Sequence, residues 1–352
     1  MKISPLEHTA EAFGLEVFNR LGKGKHHAIE IYAKFMRTGL IDRTTCNNSE
    51  RLVDEIIEMM DCEQMPLVNR LEEAATTKSL FRTTDGLEVE SVLIPMKAGT
   101  TLCVSSQVGC RMGCAFCETG RMGLLRSLKA KEIVGQLFGV RHQLNREVRN
   151  IVFMGMGEPF DNYDEVMAAV KILTDPKGFG YGKRQITIST SGCVDGIARL
   201  MAEPFETPNL AVSITAANDQ LRNRLMPINR KHDLAALYAA MHAYCQQTNR
   251  EILIAYVTMK DVNDTIEHAC ELASYLKGLN VKINIIPYNV QKRDRFAPSE
   301  PHVIDAFAAH LRQAGYYTLL RKTKGRDIMA ACGQLGNVEQ RKKARAASPE
   351  QQ

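Results

Sequence analysis

An α/β fold built on a parallel sheet is what this sequence predicts, on three observations. From residue 100 onward, short apolar runs rich in β-branched residues alternate with helical patterns. Before them stand two amphipathic segments and a hairpin signal, and nowhere do apolar residues run long enough for a membrane span. Repeated strand-then-helix units demand right-handed crossovers, which leaves a barrel, a partial barrel or a doubly wound sheet. In each of these, ligands gather at the carboxyl ends of the strands.

Residues 1–76 read as a small helical domain, because AIEIYAKFM (28–36) and LVDEIIEMM (52–60) repeat apolar residues at three- and four-residue spacing. SLFRTTDGLEVESVLIP turns at Asp85-Gly86 and makes 77–98 a connecting β-hairpin. Strands follow at 100–106, 150–155, 185–190, 209–215, 251–259 and 282–289, with YYTLL (316–320) as one more. Helical patterns fill 132–140, 163–173, 234–245, 266–279 and 303–315. The α/β part therefore spans 99–335, and 336–352, ending QRKKARAASPEQQ, reads as a basic, polar, disordered tail.

A chain of 352 residues with 45% hydrophobic content supports a substantial core. The N-terminal MKISPLEHTAEAFG lacks the order of a secretory signal, so a cytoplasmic protein with no membrane association is expected. Lys and Arg exceed Asp and Glu by only five. Basic residues nonetheless cluster at Arg121, Arg126, Lys129 and Lys131, at Lys183 and Arg184, at Arg222, Arg224, Arg230 and Lys231, and at Arg321, Lys322, Lys324 and Arg326. Such clusters are either solvated faces or a phosphate-lined rim. Ten cysteines without an export signal point to thiolate chemistry rather than a disulfide scaffold. Cys46, Cys62, Cys193, Cys245 and Cys270 are scattered and read as small hydrophobes.

Cys110, Cys114 and Cys117 sit in GCRMGCAFCETGRMG, a glycine-punctuated loop directly after the first strand of the α/β part. A structural zinc site would need a fourth Cys or His at similar spacing, and none follows before residue 141. Three thiolates suit a 4Fe-4S cluster, whose fourth iron stays open to another ligand. Zinc is the less favoured alternative. MGMGEP (154–159) follows the next strand and offers a close-approaching backbone at Gly157 and a carboxylate at Glu158.

CxxxCxxC followed by this Gly-Glu turn resembles the radical S-adenosylmethionine (SAM) superfamily. LCVSSQVGC, FMGMGEP, ITISTSG, LMPIN, INIIPYN and RKTKGRDIMAACGQL narrow the resemblance to the RlmN and Cfr family of RNA adenine methyltransferases, from about residue 80 to 337. The resemblance implies a partial (β/α) barrel of the radical SAM type, one 4Fe-4S cluster on the three cysteines, and SAM. It implies SAM contacts at Gly157, Glu158, Ser189, Ser213, Ile214, Thr215 and Asn289. Cys332 becomes a methyl carrier, Cys103 the thiol that frees the product by a disulfide with Cys332, and Glu90 a proton acceptor. By themselves these three read as a loop residue, a core thiol and an exposed strand residue.

The resemblance thus implies a monomeric methyltransferase acting on an adenine of 23S rRNA at carbon 2, with tRNA as a second substrate and an electron donor such as a flavodoxin. Carbon 8 of the same adenine is an alternative, since LMPIN and IAYV look closer to that branch while INIIPYN and RKTKG look closer to the carbon 2 branch. A radical SAM enzyme of different substrate and a zinc-stabilised RNA-binding module are the others. Two departures stand out: SITAAND replaces the usual SLHAPND, putting Thr215 where a His is common, and Lys129 stands where Thr often caps the next helix.

Overall fold

The computed structural model of the chain describes residues 2–45, 50–204, 207–291, 294–337 and 340. The expected disordered tail lies outside the described residues except for Gly336, Asn337 and Gln340. Three helices open the chain: α1 (Ala10–Leu21), α2 (Lys25–Thr38) and α3 (Glu50–Met59). The helical reading ends there. Leu67–Glu73, placed by its sequence inside the helical segment, forms β1 and pairs antiparallel with β2 (Thr76–Arg82). It is the outermost strand of the sheet and largely exposed, so it lacks the apolar alternation that marks a strand, and Arg70, Glu72 and Glu73 blunt its edge.

The hairpin turns at Asp85-Gly86 as expected, leading from β2 into β3 (Glu88–Met96) and then β4 (Gly99–Cys103). Next come β5 (Gln107–Val108), α4 (Glu118–Met122), β6 (Arg126–Ser127), α5 (Ala130–His142), β7 (Asn150–Phe153) and α6 (Tyr163–Thr174). The alternation continues through β8 (Ile186–Thr190), α7 (Val194–Met201), β9 (Asn209–Ser213), α8 (Asp219–Leu225), α9 (Leu234–Thr248) and β10 (Ile252–Thr258). It ends with α10 (Ile266–Tyr275), β11 (Val281–Pro287), α11 (Pro301–Gln313) and β12 (Thr318–Leu320).

One ten-stranded sheet runs β1-β2-β3-β4-β7-β8-β9-β10-β11-β12. Pairing is antiparallel up to β4 and parallel from β4 to β12. Among the described residues no pairing joins β1 to β12, so the barrel is partial. The parallel strands carry buried Ile, Leu and Val, as expected of strands covered by crossover helices.

The first helices share this core. Phe35 of α2 stacks on Phe138 of α5 with ring centroids 5.0 Å apart, and a single apolar cluster runs from Ile3 to Leu335. Lys129 gives α5 no side-chain cap; instead the Glu132 carboxylate accepts the Lys129 amide at 2.9 Å and Glu165 accepts that of Ala130 at 2.7 Å. No helix among the described residues is long and apolar enough to cross a membrane.

Because Phe35 and Phe138 belong to one core, Phe35→Ala removes packing from helices and barrel alike. Its expected cost is about 3–5 kcal/mol. Urea unfolding followed by circular dichroism should move to lower midpoint as one transition, whereas a separate early transition would mean that the helices form a core of their own.

Candidate active site

Parallel strands deliver all their carboxyl ends to one rim, and the cysteine loop lies on it. The two-stranded β5–β6 pair closes the loop's base, with Gln107 opposite Ser127 and Val108 opposite Arg126. Gly109 has φ +83°, and a Cβ there would sit 1.8 Å from the Gly123 carbonyl oxygen. That same oxygen accepts the Cys110 amide at 3.2 Å, so the two ends of the loop touch backbone to backbone. Beneath lies a small apolar cluster containing Leu225 and Met226 of the LMPIN stretch, against which Cys114, Phe116 and Ile228 pack. The Ala115 amide donates to the Leu225 carbonyl at 2.9 Å.

Burial pushes the thiols of Cys110, Cys114 and Cys117 well above their usual range, and for Cys110 and Cys114 the neighbouring thiolates and Glu158 push further. Amides and the hydroxyl at Thr119 and Gly120 pull Cys117 the other way, and the Arg222 cation does so for Cys114. Three crowded thiols in low dielectric ionise together only when positive charge joins them, as iron does. No three His, Cys, Asp or Glu among the described residues converge on a single ion. A cube, by contrast, distributes its three ligands over three irons. The residues present fit such a cluster.

Gly157 and Glu158 form the next wall. Gly157 has φ +104°, and a Cβ would meet the Gln107 amide nitrogen at 2.8 Å and the Ser106 hydroxyl at 2.7 Å. Gln107 Oε1 accepts the Glu158 amide at 2.9 Å. The Glu158 side chain is buried, with Oε2 accepting the amide and hydroxyl of Ser191 at 2.7 and 2.8 Å and Oε1 accepting the Phe160 amide at 3.2 Å. Burial raises its pKa against these bonds.

Across the rim, half-buried Ser189 and Ser213 lie near the ends of β8 and β9. Ile214 and Thr215 follow, both fully buried. Thr215 holds φ +57°, an outlier for a β-branched residue, and its hydroxyl and that of Ser106 are buried without a partner among the described residues. The orphaned Ser106 hydroxyl beside Gly157 is what a polar cofactor would satisfy, and SAM fits that chemistry.

Cys103 ends β4 opposite Val92 of β3, which itself lies opposite Lys78 of β2, so these side chains share one face of the sheet. Burial, and then the nearby Cys332 thiol, push Cys103 up to about 12. Cys332 lies in a segment pinned to the rim: Asn289 Nδ2 donates to its carbonyl at 3.0 Å and Gln291 Nε2 to the Gly333 carbonyl at 3.1 Å. The segment also meets the cysteine loop, with the Glu118 amide donating to the Gly333 carbonyl at 2.7 Å and the Thr119 hydroxyl to that of Leu335. Glu90 is likewise on this face, 7% exposed.

Thus one rim unites Cys110, Cys114, Cys117, Gly157, Glu158, Asn289, Cys103 and Cys332. Three expectations change, and the disulfide implied between Cys103 and Cys332 is not present. Glu90 is buried, because the C-terminal segment covers its end of the hairpin. Arg222, grouped by sequence with surface cations, has no exposure: it donates to the carbonyls of Ile214 (3.2 Å), Ser191 (2.8 Å) and Ser213 (3.1 Å) and to Asn229 Oδ1 (2.7 Å). Arg126 is held by the carboxylates of Asp85 and Glu132 and leaves no free cation for phosphate. Cys103 and Cys332 are both free thiols, so no disulfide links them here. Sequence reasoning missed Gln107, Ser191 and Gln291, although each lies within or beside a motif already singled out.

Residues 104–273 match the Radical SAM superfamily. The chain is 54% identical over 348 residues to a protein of Protochlamydia amoebophila named probable dual-specificity RNA methyltransferase RlmN 1, covering 97% of each chain. It is 47% identical over 260 residues to a dual-specificity RNA methyltransferase RlmN of Geotalea uraniireducens, covering 74% of this chain and 75% of that one. A crystal structure of a radical SAM methyltransferase from Sphaerobacter thermophilus superimposes with TM-score 0.87 at 38% identity, covering 94% and 98% of the two chains.

The geometry makes two outcomes testable. Arg222→Met strands three carbonyls and an amide, and should cost about 2–5 kcal/mol, read as a lower thermal midpoint; Arg222→Lys should recover little, since one ammonium lacks the guanidinium's fork. Cys103 is neutral in the folded chain up to about 12, against a usual 9.0. Its contribution to stability is therefore present below pH 9 and lost as pH rises from there toward 12, because the unfolded chain ionises first. In urea unfolding across that window the wild type should lose more stability than Cys103→Ala; parallel losses would contradict the shift.

Proposed function

The chain belongs to the RlmN and Cfr family of radical SAM RNA methyltransferases, and from that premise we propose that it methylates carbon 2 of an adenine in 23S rRNA through a methyl carried on Cys332. Family membership removes the alternative of a zinc-stabilised RNA-binding module. A second RNA substrate, tRNA, suits a chain whose relatives are named dual-specificity enzymes. The observation that carries the reading is the docking of the Cys332 segment onto both the cysteine loop and the Cys103 end of β4.

Carbon 2 of adenine is an electron-poor amidine carbon, and the methyl of SAM is an electrophile, so polar transfer between them is disfavoured. When bound, a 4Fe-4S cluster on Cys110, Cys114 and Cys117, with SAM on Gly157, Glu158, Ser189, Ser213, Ile214, Thr215 and Asn289, supplies the methyl group and a hydrogen-abstracting adenosyl radical. Cys332 contributes the sulfur that presents the one-carbon unit to the base, its loop fixed by Asn289 and Gln291. Glu90 takes the proton from the substituted ring carbon, and the unpaired electron left on the ring adduct passes to the one-electron donor in its oxidised form, which restores a closed-shell thioether. The Cys103 thiolate then attacks the Cys332 sulfur: a sulfur–sulfur bond forms, the carbon–sulfur bond breaks, and the carbon leaves with its electron pair and takes a proton to become methyl. A thiol reductant returns both cysteines to the state seen here. Burial of Cys103 keeps it protonated until that attack is due.

A cytoplasmic monomer supplied with electrons by a donor such as a flavodoxin completes the reading. Mass spectrometry tests it on anaerobically reconstituted protein incubated with SAM, reductant and rRNA fragments. Wild type should yield 2-methyladenosine, Cys332→Ala none, and Cys103→Ala a covalent protein–RNA adduct. Methylation by Cys332→Ala at the wild-type rate would end the carrier assignment, and 8-methyladenosine would move the reaction to the other carbon.

A further inference from the structure

The proposed chemistry gives no role to Lys78, the largely buried partner of Glu90. Lys78 of β2 lies opposite Val92 of β3, and Glu90 lies two residues before Val92, so the two side chains share a face on the diagonal of the pair. Lys78 Nζ and Glu90 Oε1 are 2.9 Å apart, and the side chains are only 11% and 9% exposed. If this pair served only to tie β2 to β3, neither group would need another partner. Each has one on the C-terminal segment. Lys78 Nζ donates to the Met329 carbonyl at 3.1 Å, and Glu90 Oε2 accepts the Gly336 amide at 3.0 Å.

Met329 and Gly336 bracket Cys332. One ion pair therefore grips both ends of the loop that carries the thiol. Between those ends the loop is held by neutral bonds from Asn289, Gln291, Glu118 N–H and Thr119, each weaker than a bond to a charged group. Upstream, the Glu73 carboxylate accepts the Gly325 and Asp327 amides at 3.1 and 2.7 Å, fixing the point from which the loop departs. The other ionisable side chains of this region are the Cys103 and Cys332 thiols, Arg321, whose charge acts on Cys103, Arg326 and Asp327 of the segment itself, and Glu73 and Glu118, which contact it.

We propose that Lys78 is a positioning residue, and that the Lys78–Glu90 pair is a charge-controlled latch on the Cys332 loop, shut while Glu90 is anionic and opened when Glu90 holds a proton. The proposal rests on the reading of Glu90 as proton acceptor. A proton leaving the adenine carbon neutralises Glu90; Lys78 then loses its counter-charge, Gly336 loses a charged acceptor, and both ends of the loop loosen together. One proton moves from carbon to carboxylate while the adduct's odd electron returns to the oxidised electron donor, and the latch responds to the proton alone. The latch thereby holds Cys332 in place before the proton transfer and frees its loop afterwards, when product must leave.

Alkylation of Cys332 reads the latch without reading catalysis. Full-length, cluster-reconstituted wild type, Lys78→Met, Glu90→Gln and the double variant would be treated anaerobically with iodoacetamide, and the Cys332 peptide followed by mass spectrometry. The double variant buries no unpaired charge, so it keeps the test open if Lys78→Met fails to fold. Folded variants are expected to react at Cys332 about tenfold faster than wild type, with hydrogen exchange increased over 329–336. Wild-type alkylation rates in folded Glu90→Gln and in the double variant would overturn the latch. A methylation assay on the same Glu90→Gln sample separates the two readings. Loss of methylation with unchanged alkylation keeps the base and removes the latch, whereas faster alkylation with methylation intact leaves a static tether and overturns a latch opened by the substrate's proton.

Discussion

A single buried guanidinium holds the rim together. Arg222 has no exposure, and the oxygens around it belong to Ser191 after β8, to Ser213 and Ile214 at the end of β9, and to Asn229 of the LMPIN stretch. A buried cation is tolerated only when every donor finds an oxygen, so the positions of these carbonyls are coupled. Through Ser191 the coupling reaches Glu158, whose carboxylate rests on that residue's amide and hydroxyl. Asn229 in turn binds Asp219 and Asn223, fixing the turn whose Leu225 carbonyl supports the cysteine loop at Ala115. The same charge draws the Cys114 thiol toward ionisation. The Glu158 wall, the floor of the cysteine loop and one of the three thiols thus share a common support.

The antiparallel end of the sheet serves a different purpose. Strands β1 to β3 extend the sheet past the parallel barrel, and the C-terminal segment returns across the sequence to lie on them. Glu73 holds Gly325 and Asp327, Lys78 holds Met329, and Glu90 holds Gly336. The opposite side of the same segment meets the cysteine loop. Cys332 therefore hangs between a rigid hairpin and the cysteine loop, and it needs no regular secondary structure of its own. The carrier role proposed for Cys332 needs this kind of tether, fixed at both ends and free of a helix that would resist movement.

How legible a residue is in the sequence depends on whether its role is local. The strand-then-helix rhythm and the glycine and cysteine spacings announce themselves because each acts through its immediate neighbours, and they locate the rim. β1 escapes such a reading because an exposed edge strand has no buried face to impose alternation. Arg222 reads as a surface residue because sequence carries no mark that separates a buried arginine from a solvated one; its partners lie on three different segments. Glu90 reads as exposed because VESVLIP reveals a strand and says nothing about a segment more than two hundred residues later that covers it. Ser191 and Gln107 are within reach, since they adjoin the glycine and cysteine motifs of the rim, but only the fold turns them into partners of Glu158.

Thr215 shows a position fixed by such distant partners. A β-branched residue with positive φ is strained by about 1–3 kcal/mol, and its buried hydroxyl has no partner among the described residues. Its surroundings hold it there. Asn263 donates to the Thr215 carbonyl at 2.7 Å and to that of Val257 at 2.7 Å, while accepting the Met259 amide, and the Ile214 amide is bound by Ala255. The bonds that fix residue 215 are therefore backbone bonds, and they would be the same for histidine or threonine. What the replacement alters is the side-chain atom presented to the rim, from a ring able to donate or accept at two nitrogens to a short hydroxyl. The hydrogen bonds that position residue 215 are thus independent of its side chain, whereas the strain of a positive φ is greater for β-branched threonine than for histidine, so the fold rather than the residue's own preference holds this turn.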